Sequence, residues 1–171
     1  ERVFSELLAE EFAEDCKESF VRQFMRVRED KKEHLYTTMA HIACARKSWY
    51  SYHNYPKEAF QPRAITRFMF GDMAEAMVSK LGRLAGCKLT RHNERLTVPL
   101  DDTDRAVTCI PDDLLEYKGD LYNVEYKSMS SYSFERFVEQ DGVDDTFGYA
   151  SQIALEERAW RQEGVQVKGT V

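Results

Sequence analysis

Residues 110–129 read IPDDLLEYKGDLYNVEYKSM. LLEY and LYNVEYKSM alternate like half-buried strands, and the turn signal KGD joins them. The stretch therefore reads as a strand, a tight turn and a returning strand. Asp112 and Asp113 stand side by side after Pro111, and Glu125 and Lys127 lie two apart on the second strand. Residues i and i+2 of a strand share a face. Glu125 and Lys127 thus project together, while Tyr122, Val124 and Tyr126 pack the other way. The turn folds the first strand back and carries Asp112 to the end of the sheet where Glu125 lies. That face is either solvated or an active site.

Upstream, RLTVPL and AVTCI also alternate like strands, separated by the polar turn DDTD. Before them the period is helical. Residues 4–28 place Phe4, Leu7, Leu8, Phe12, Phe20 and Phe24 near helical spacing on an acidic background. The charged REDKKEH reads as a loop. Thr37-Thr38 would cap a second helix striped by Ile42, Ala45, Trp49 and Tyr52. NYPKEAFQPR, with two prolines, reads as a linker. A third helix over about 63–85 carries Ile65, Met69, Met73, Ala76, Met77 and Leu84 and ends near Gly86. Downstream, SSYSFERFVEQDGVDD reads as a polar connection to a last helix over about 146–163. The strand-like VQVKGTV follows. Helices, then a strand meander, then helix and strand point to an α/β sandwich around a central mixed sheet.

The 171 residues are 43% hydrophobic and 12% aromatic, enough for one domain with a core. No apolar run is long enough to cross a bilayer, and no signal-peptide pattern opens the chain. The chain opens on Glu1 and stops in a strand-like segment, so the expectation is a protein that extends at both ends. Cys16, Cys44, Cys87 and Cys109 show no paired spacing, which reads as reduced thiols in an intracellular, cytoplasmic setting. The net charge of −6 argues against a generic nucleic-acid coat. The charge is uneven, though. Residues 22–67 hold ten basic and four acidic groups, against two and seven in residues 1–21. A basic middle beside an acidic remainder fits a polyanion track next to a metal site, and equally fits unevenly charged solvated faces.

Two carboxylates converging with a lysine suit a hard divalent cation. Such an ion takes oxygen ligands, keeps some water and lets substrate phosphate complete its shell. It polarises a phosphoryl oxygen and lowers the pKa of a bound water. Lys127 would orient that water or stabilise the extra transition-state charge. An ExK on a strand is, alone, more often a solvated face; the order of elements around it shifts the balance.

The stretch resembles the PD-(D/E)XK nuclease superfamily, with "PD" at Pro111-Asp112 and "ExK" at Glu125-Tyr126-Lys127. Two further elements are similar to the branch of RecB-type, lambda-exonuclease-type and CRISPR-adaptation nucleases. FGDMAE supplies a helical GxxxE, Gly71 to Glu75, and that branch places an acid or His of this helix at the metal site. GYASQIAL supplies Tyr149 and Gln152, like the YxxQ element those families set beside a DNA end. CARKSWY resembles the opening of the iron–sulfur members, and NYPKEAFQPRAITRFMFGD resembles phage-encoded members. The resemblance covers roughly residues 37–171. Two departures stand out. Asp113 occupies a position where lambda-exonuclease-like members often have Gly, so either aspartate could be the ligand, with Asp112 preferred for its register after Pro111. The C-terminal cysteine triplet that a cluster needs is missing from this chain, so an iron–sulfur cluster is not expected within it.

The resemblance implies a restriction-endonuclease-like core over 37–171 with an N-terminal helical segment, 1–36. It implies a Mg²⁺- or Mn²⁺-dependent deoxyribonuclease, an exonuclease of recombination or DNA-end processing. Asp112 and Glu125 would hold the metal with Glu75 and the Tyr126 carbonyl. Lys127 would position water, and Gln152 and Tyr149 would orient the substrate. Arg46, Arg63 and Arg67 of the basic middle are candidate phosphate contacts, because arginine's planar fork donates two bonds. Lys47 is a candidate contact in the same segment. The aromatic run WYSYHNY could stack bases, though such runs more often supply core and interface. His34, His41, His53 and His92 show no metal spacing. The expected partners are linear duplex or single-stranded DNA ends, with no membrane, and either a second copy of the chain or a recombination protein. A structure-specific or restriction-type endonuclease, and a non-catalytic DNA-binding subunit of the same fold, are the alternatives.

Overall fold

The computed structural model describes residues 2–24, 35–37, 44–53, 55–56, 58–100, 105–139 and 148–171. REDKKEH, the DDTD turn, His34, His41, Ile42 and most of the segment before residue 148 lie outside them. The chain is mixed α/β. Its elements run α1 (Arg2–Phe24), β1 (Leu35–Tyr36), α2 (Ala45–Tyr52), α3 (Pro62–Leu84), β2 (Lys88–Thr90), β3 (Leu96–Pro99) and β4 (Ala106–Cys109). They continue with β5 (Asp113–Tyr117), β6 (Asp120–Val124), α4 (Ser131–Glu139), α5 (Tyr149–Gln162) and β7 (Val167–Thr170).

The expected single central sheet is instead two mixed sheets. One has the order β1-β4-β3, the other β2-β5-β6-β7. In the first, β1 is parallel and β3 antiparallel to β4. In the second, β6 is antiparallel to β5 and parallel to β7. The break falls after β4, at Ile110-Pro111-Asp112, where Pro111 has no N–H to give a ladder.

The chain separates into two compact units. The first comprises Glu1–Arg28, Lys57–Leu89 and Tyr126–Ser128. There α1 packs along α3, and Lys80 of α3 reaches Glu11 (2.8 Å) and Asp15 (3.4 Å) of α1. Pro62 opens α3 at a position whose N–H a helix does not use.

The second unit comprises Glu29–Pro56, Thr90–Glu125 and Met129–Val171. Its core is Leu96 and Val98 of β3, Cys109 of β4, Leu114 of β5, and Ala159 and Trp160 of α5, with Leu121, Leu155, Val165 and Val167 against it. One helix thus covers strands of both sheets. Burial in this apolar setting, next to Glu156, pushes the Cys109 thiol up to about 12, so it stays protonated and behaves as a small hydrophobe.

A further expectation changes. SSYSFERFVEQDGVDD contains a helix, α4. Ser130 Oγ accepts the Ser133 N–H at 3.2 Å, so the serines that read as linker act as its cap. The helix Ala45–Tyr52 has Cys44 as its N-cap residue, while Thr38 of the expected cap lies outside the described residues.

Candidate functional site

The β5–β6 hairpin sets the geometry. Lys118 and Gly119 link the strands with φ of 53° and 85°. Two successive left-handed residues make the primed two-residue turn that matches strand twist, and Gly119 takes its place there without a Cβ penalty. This fixes the register from Tyr117↔Asp120 to Asp113↔Val124. Asp112 immediately precedes β5 and Glu125 immediately follows β6, so both flank the open end of the hairpin.

Alternation then sorts the strand residues between two faces. Leu114 and Asn123 face α5: Leu114 joins the Trp160 cluster, and Asn123 bonds to Glu156 and Trp160. Glu125, just past β6, meets the same helix through Gln152. Asp113 lies on the opposite side, fully buried, with Oδ1 3.2 Å from His92 Nδ1. Asn93 Nδ2 meets His92 Nε2 at 2.8 Å, and the Asn93 N–H donates to the Asp112 carbonyl at 3.0 Å.

The second strand is shorter than its alternation predicts. β6 ends at Val124, and residues 125–130 are irregular. The strand loses its β5 partner there, since β5 begins only at Asp113. The Glu125 N–H donates to the Val171 carbonyl at 3.1 Å. Of Tyr122, Val124 and Tyr126, the first two share one face of β6 and the third lies beyond the strand. Asn123 and Val124 are both buried, while Tyr122 and Tyr126 are half-buried. Lys127 is exposed and follows Glu125 in irregular backbone rather than on a shared strand face.

Gln152, in the first turn of α5, is buried. Its Nε2 donates to Glu125 Oε1 (2.7 Å) and to Glu156 Oε1 (2.8 Å). Glu156 is fully buried one turn further on, and its Oε2 accepts from Asn123 Nδ2 at 3.0 Å. Trp160, another turn along, donates from Nε1 to Asn123 Oδ1 at 2.8 Å. Burial pushes the Glu156 carboxyl up to about 7, with the neighbouring Glu125 charge adding and the Gln152 and Asn123 donors opposing. Near neutral pH Glu156 therefore holds its proton part of the time. Tyr149, at the start of the same helix, is half-buried.

The first unit holds the GxxxE element. A Cβ on Gly71 would come within 3.3 Å of Ser128 Oγ, so the absent side chain lets residues 126–128 lie close on α3. Glu75, half-buried, follows Gly71 by four residues and shares its helix face. Arg63 and Arg67, both exposed, are likewise one turn apart on α3. Arg46 lies on α2 of the second unit, also exposed.

Sequence reasoning missed Glu156 and Asn123. The signal was present in QIALEERAW, where positions 152, 156 and 160 put an amide, an acid and an indole on one helix line. Among the described residues, no group of three or more His, Cys, Asp or Glu side chains forms a metal cage. The donors at the hairpin end are the carboxylate oxygens of Asp112 and Glu125. That donor chemistry fits a hard ion that keeps most of its water.

No family model, curated protein or solved structure matches the chain.

Proposed function

We propose that the chain is a metal-dependent deoxyribonuclease of the PD-(D/E)XK kind, with a restriction-endonuclease-like core, acting on DNA ends. The observation that carries the reading is the register of one hairpin. It leaves Asp112 just before β5 and Glu125 just after β6, at the open end of the hairpin, with Asp113 inside the paired strand, while Gln152 holds the Glu125 carboxylate at 2.7 Å.

Asp112 and Glu125 would hold Mg²⁺ or Mn²⁺, and Glu75 and the Tyr126 carbonyl are the further donors the resemblance names. When bound, such an ion polarises a phosphoryl oxygen and lowers the pKa of a water. Glu125, its Oε1 pinned by Gln152, presents a fixed carboxylate rather than a rotating one. Lys127, two residues along, carries the positive charge that orients the attacking water and offsets charge developing on the phosphate. Arg46, Arg63 and Arg67 are exposed cations with a fork that suits phosphate. Tyr149, next to Gln152 on α5, would meet the substrate. No helix of the described residues is long and apolar enough to cross a membrane. The setting that fits a DNA end as substrate is intracellular, and a second copy or a recombination protein is the partner such a role would use.

The test is hydrolysis of end-labelled linear DNA with and without Mg²⁺ by the wild type, Asp112→Ala and Glu125→Ala. The reading expects metal-dependent shortening of the label in the wild type and its loss in both variants. Equal cleavage by a folded Glu125→Ala protein would overturn it.

A further inference from the structure

Glu156 is a fully buried acid with no place in the reaction proposed above. Burying a carboxyl is costly unless its oxygens meet donors. Here both do: Gln152 Nε2 on Oε1 at 2.8 Å and Asn123 Nδ2 on Oε2 at 3.0 Å. A leucine would fill similar space without that cost. What it would not supply is two acceptors facing two donors.

The bonds converge on Glu156. Trp160 Nε1 donates to Asn123 Oδ1, Asn123 Nδ2 to Glu156, and Gln152 Nε2 to both Glu156 and Glu125. Asn123 Nδ2 is also 3.3 Å from Thr170 Oγ1, which ties the chain to β7. An amide nitrogen has two hydrogens, and Gln152 spends one on each carboxylate. Without Glu156 the amide could turn about its last torsion. With it, the nitrogen must face Glu125.

We infer that Glu156 is a positioning residue: it locks the Gln152 amide, and Gln152 in turn fixes the Glu125 carboxylate in the orientation that the proposed metal and water chemistry requires. This rests on the nuclease reading for its consequence, though not for its geometry.

The polarity of the Asn123–Glu156 bond gives the test. In Glu156→Gln, Asn123 Nδ2 and the new amide compete, since one acceptor oxygen cannot meet both Gln152 and Asn123. Adding Asn123→Asp reverses the bond, so that the amide at 156 donates to an acid at 123. That acid still accepts from Trp160, and the total charge equals that of the wild type. Expected for Glu156→Gln is a kcat about tenfold lower at saturating metal and DNA, with KM unchanged. The double variant should recover to within about threefold of wild type. Gln152 side-chain NH₂ signals in ¹⁵N NMR should move in the single variant and return in the double. An unchanged kcat in Glu156→Gln, or a double variant no better than the single, overturns the assignment. If the wild type proves to have no turnover, the nuclease reading falls on that result alone. The Gln152 signals then decide: movement and return support the lock, and unmoved signals refute it.

Discussion

Glu156→Gln should also change how stability depends on pH. In the folded protein the carboxyl is raised from 4.5 to about 7, chiefly by burial and then by the Glu125 charge. A raised carboxyl binds its proton more tightly when folded than when unfolded. Its stabilising contribution is therefore complete below the unfolded value, and it is lost as pH rises through the folded value near 7. Carried from 4.5 to about 7, the difference is roughly 3 kcal/mol. For a chain of this size that is on the order of 6–12 °C in Tm. Urea unfolding in EDTA at pH 5, 6, 7 and 8, followed by intrinsic fluorescence, measures it, with buried Trp160 as the main reporter. Histidines titrate in this window too, so the decisive quantity is wild type minus variant. The wild type should lose stability relative to Glu156→Gln by roughly 3 kcal/mol from pH 5 to 8, most of it between pH 5 and 7. Parallel curves for the two proteins, or a wild type that gains on the variant as pH rises, would refute the buried-acid account.

Asp113→Ala should cost stability, about 1–3 kcal/mol by urea unfolding, because it removes a fully buried carboxylate facing His92. Asp112→Ala should cost little stability and all of the cleavage; the reverse pattern would move the ligand to Asp113. Excess Mn²⁺ should raise the wild-type Tm by mass action, and that increment should vanish in Glu125→Ala by differential scanning fluorimetry. Gly71→Val should slow cleavage at least tenfold while leaving the helix content seen by circular dichroism unchanged, because its side chain would push on Ser128, next to Lys127.

The hairpin was legible from IPDDLLEYKGDLYNV because turn chemistry and alternation are local. Lys118-Gly119 does what KGD implied, and the two strands pair antiparallel. The helix around Met73 and the strands RLTVPL and AVTCI were readable for the same reason. The division into two sheets was not. It depends on Pro111 ending one ladder and on α5 covering strands of both, which no single window carries. The shared face of Glu125 and Lys127 failed because alternation continues in the sequence after the strand's partner has ended. Helix α4 was hidden by serines whose capping role shows only once Ser130 meets Ser133. Glu156 was hidden because an acid in a helix ordinarily marks the wet face. Its burial follows from Asn123 and Gln152 arriving from distant parts of the chain.

The central claim is metal-dependent hydrolysis that starts at a DNA end, and one measurement tests it most directly. A covalently closed plasmid and the same plasmid linearised are incubated with the protein and Mg²⁺, with Lys127→Ala alongside, and products are resolved by length. The account predicts that the linear form is degraded to short products, the closed circle survives, and Lys127→Ala leaves both intact. Closed circles nicked as fast as linear DNA is cut, or a folded Lys127→Ala protein that degrades linear DNA at the wild-type rate, would contradict it.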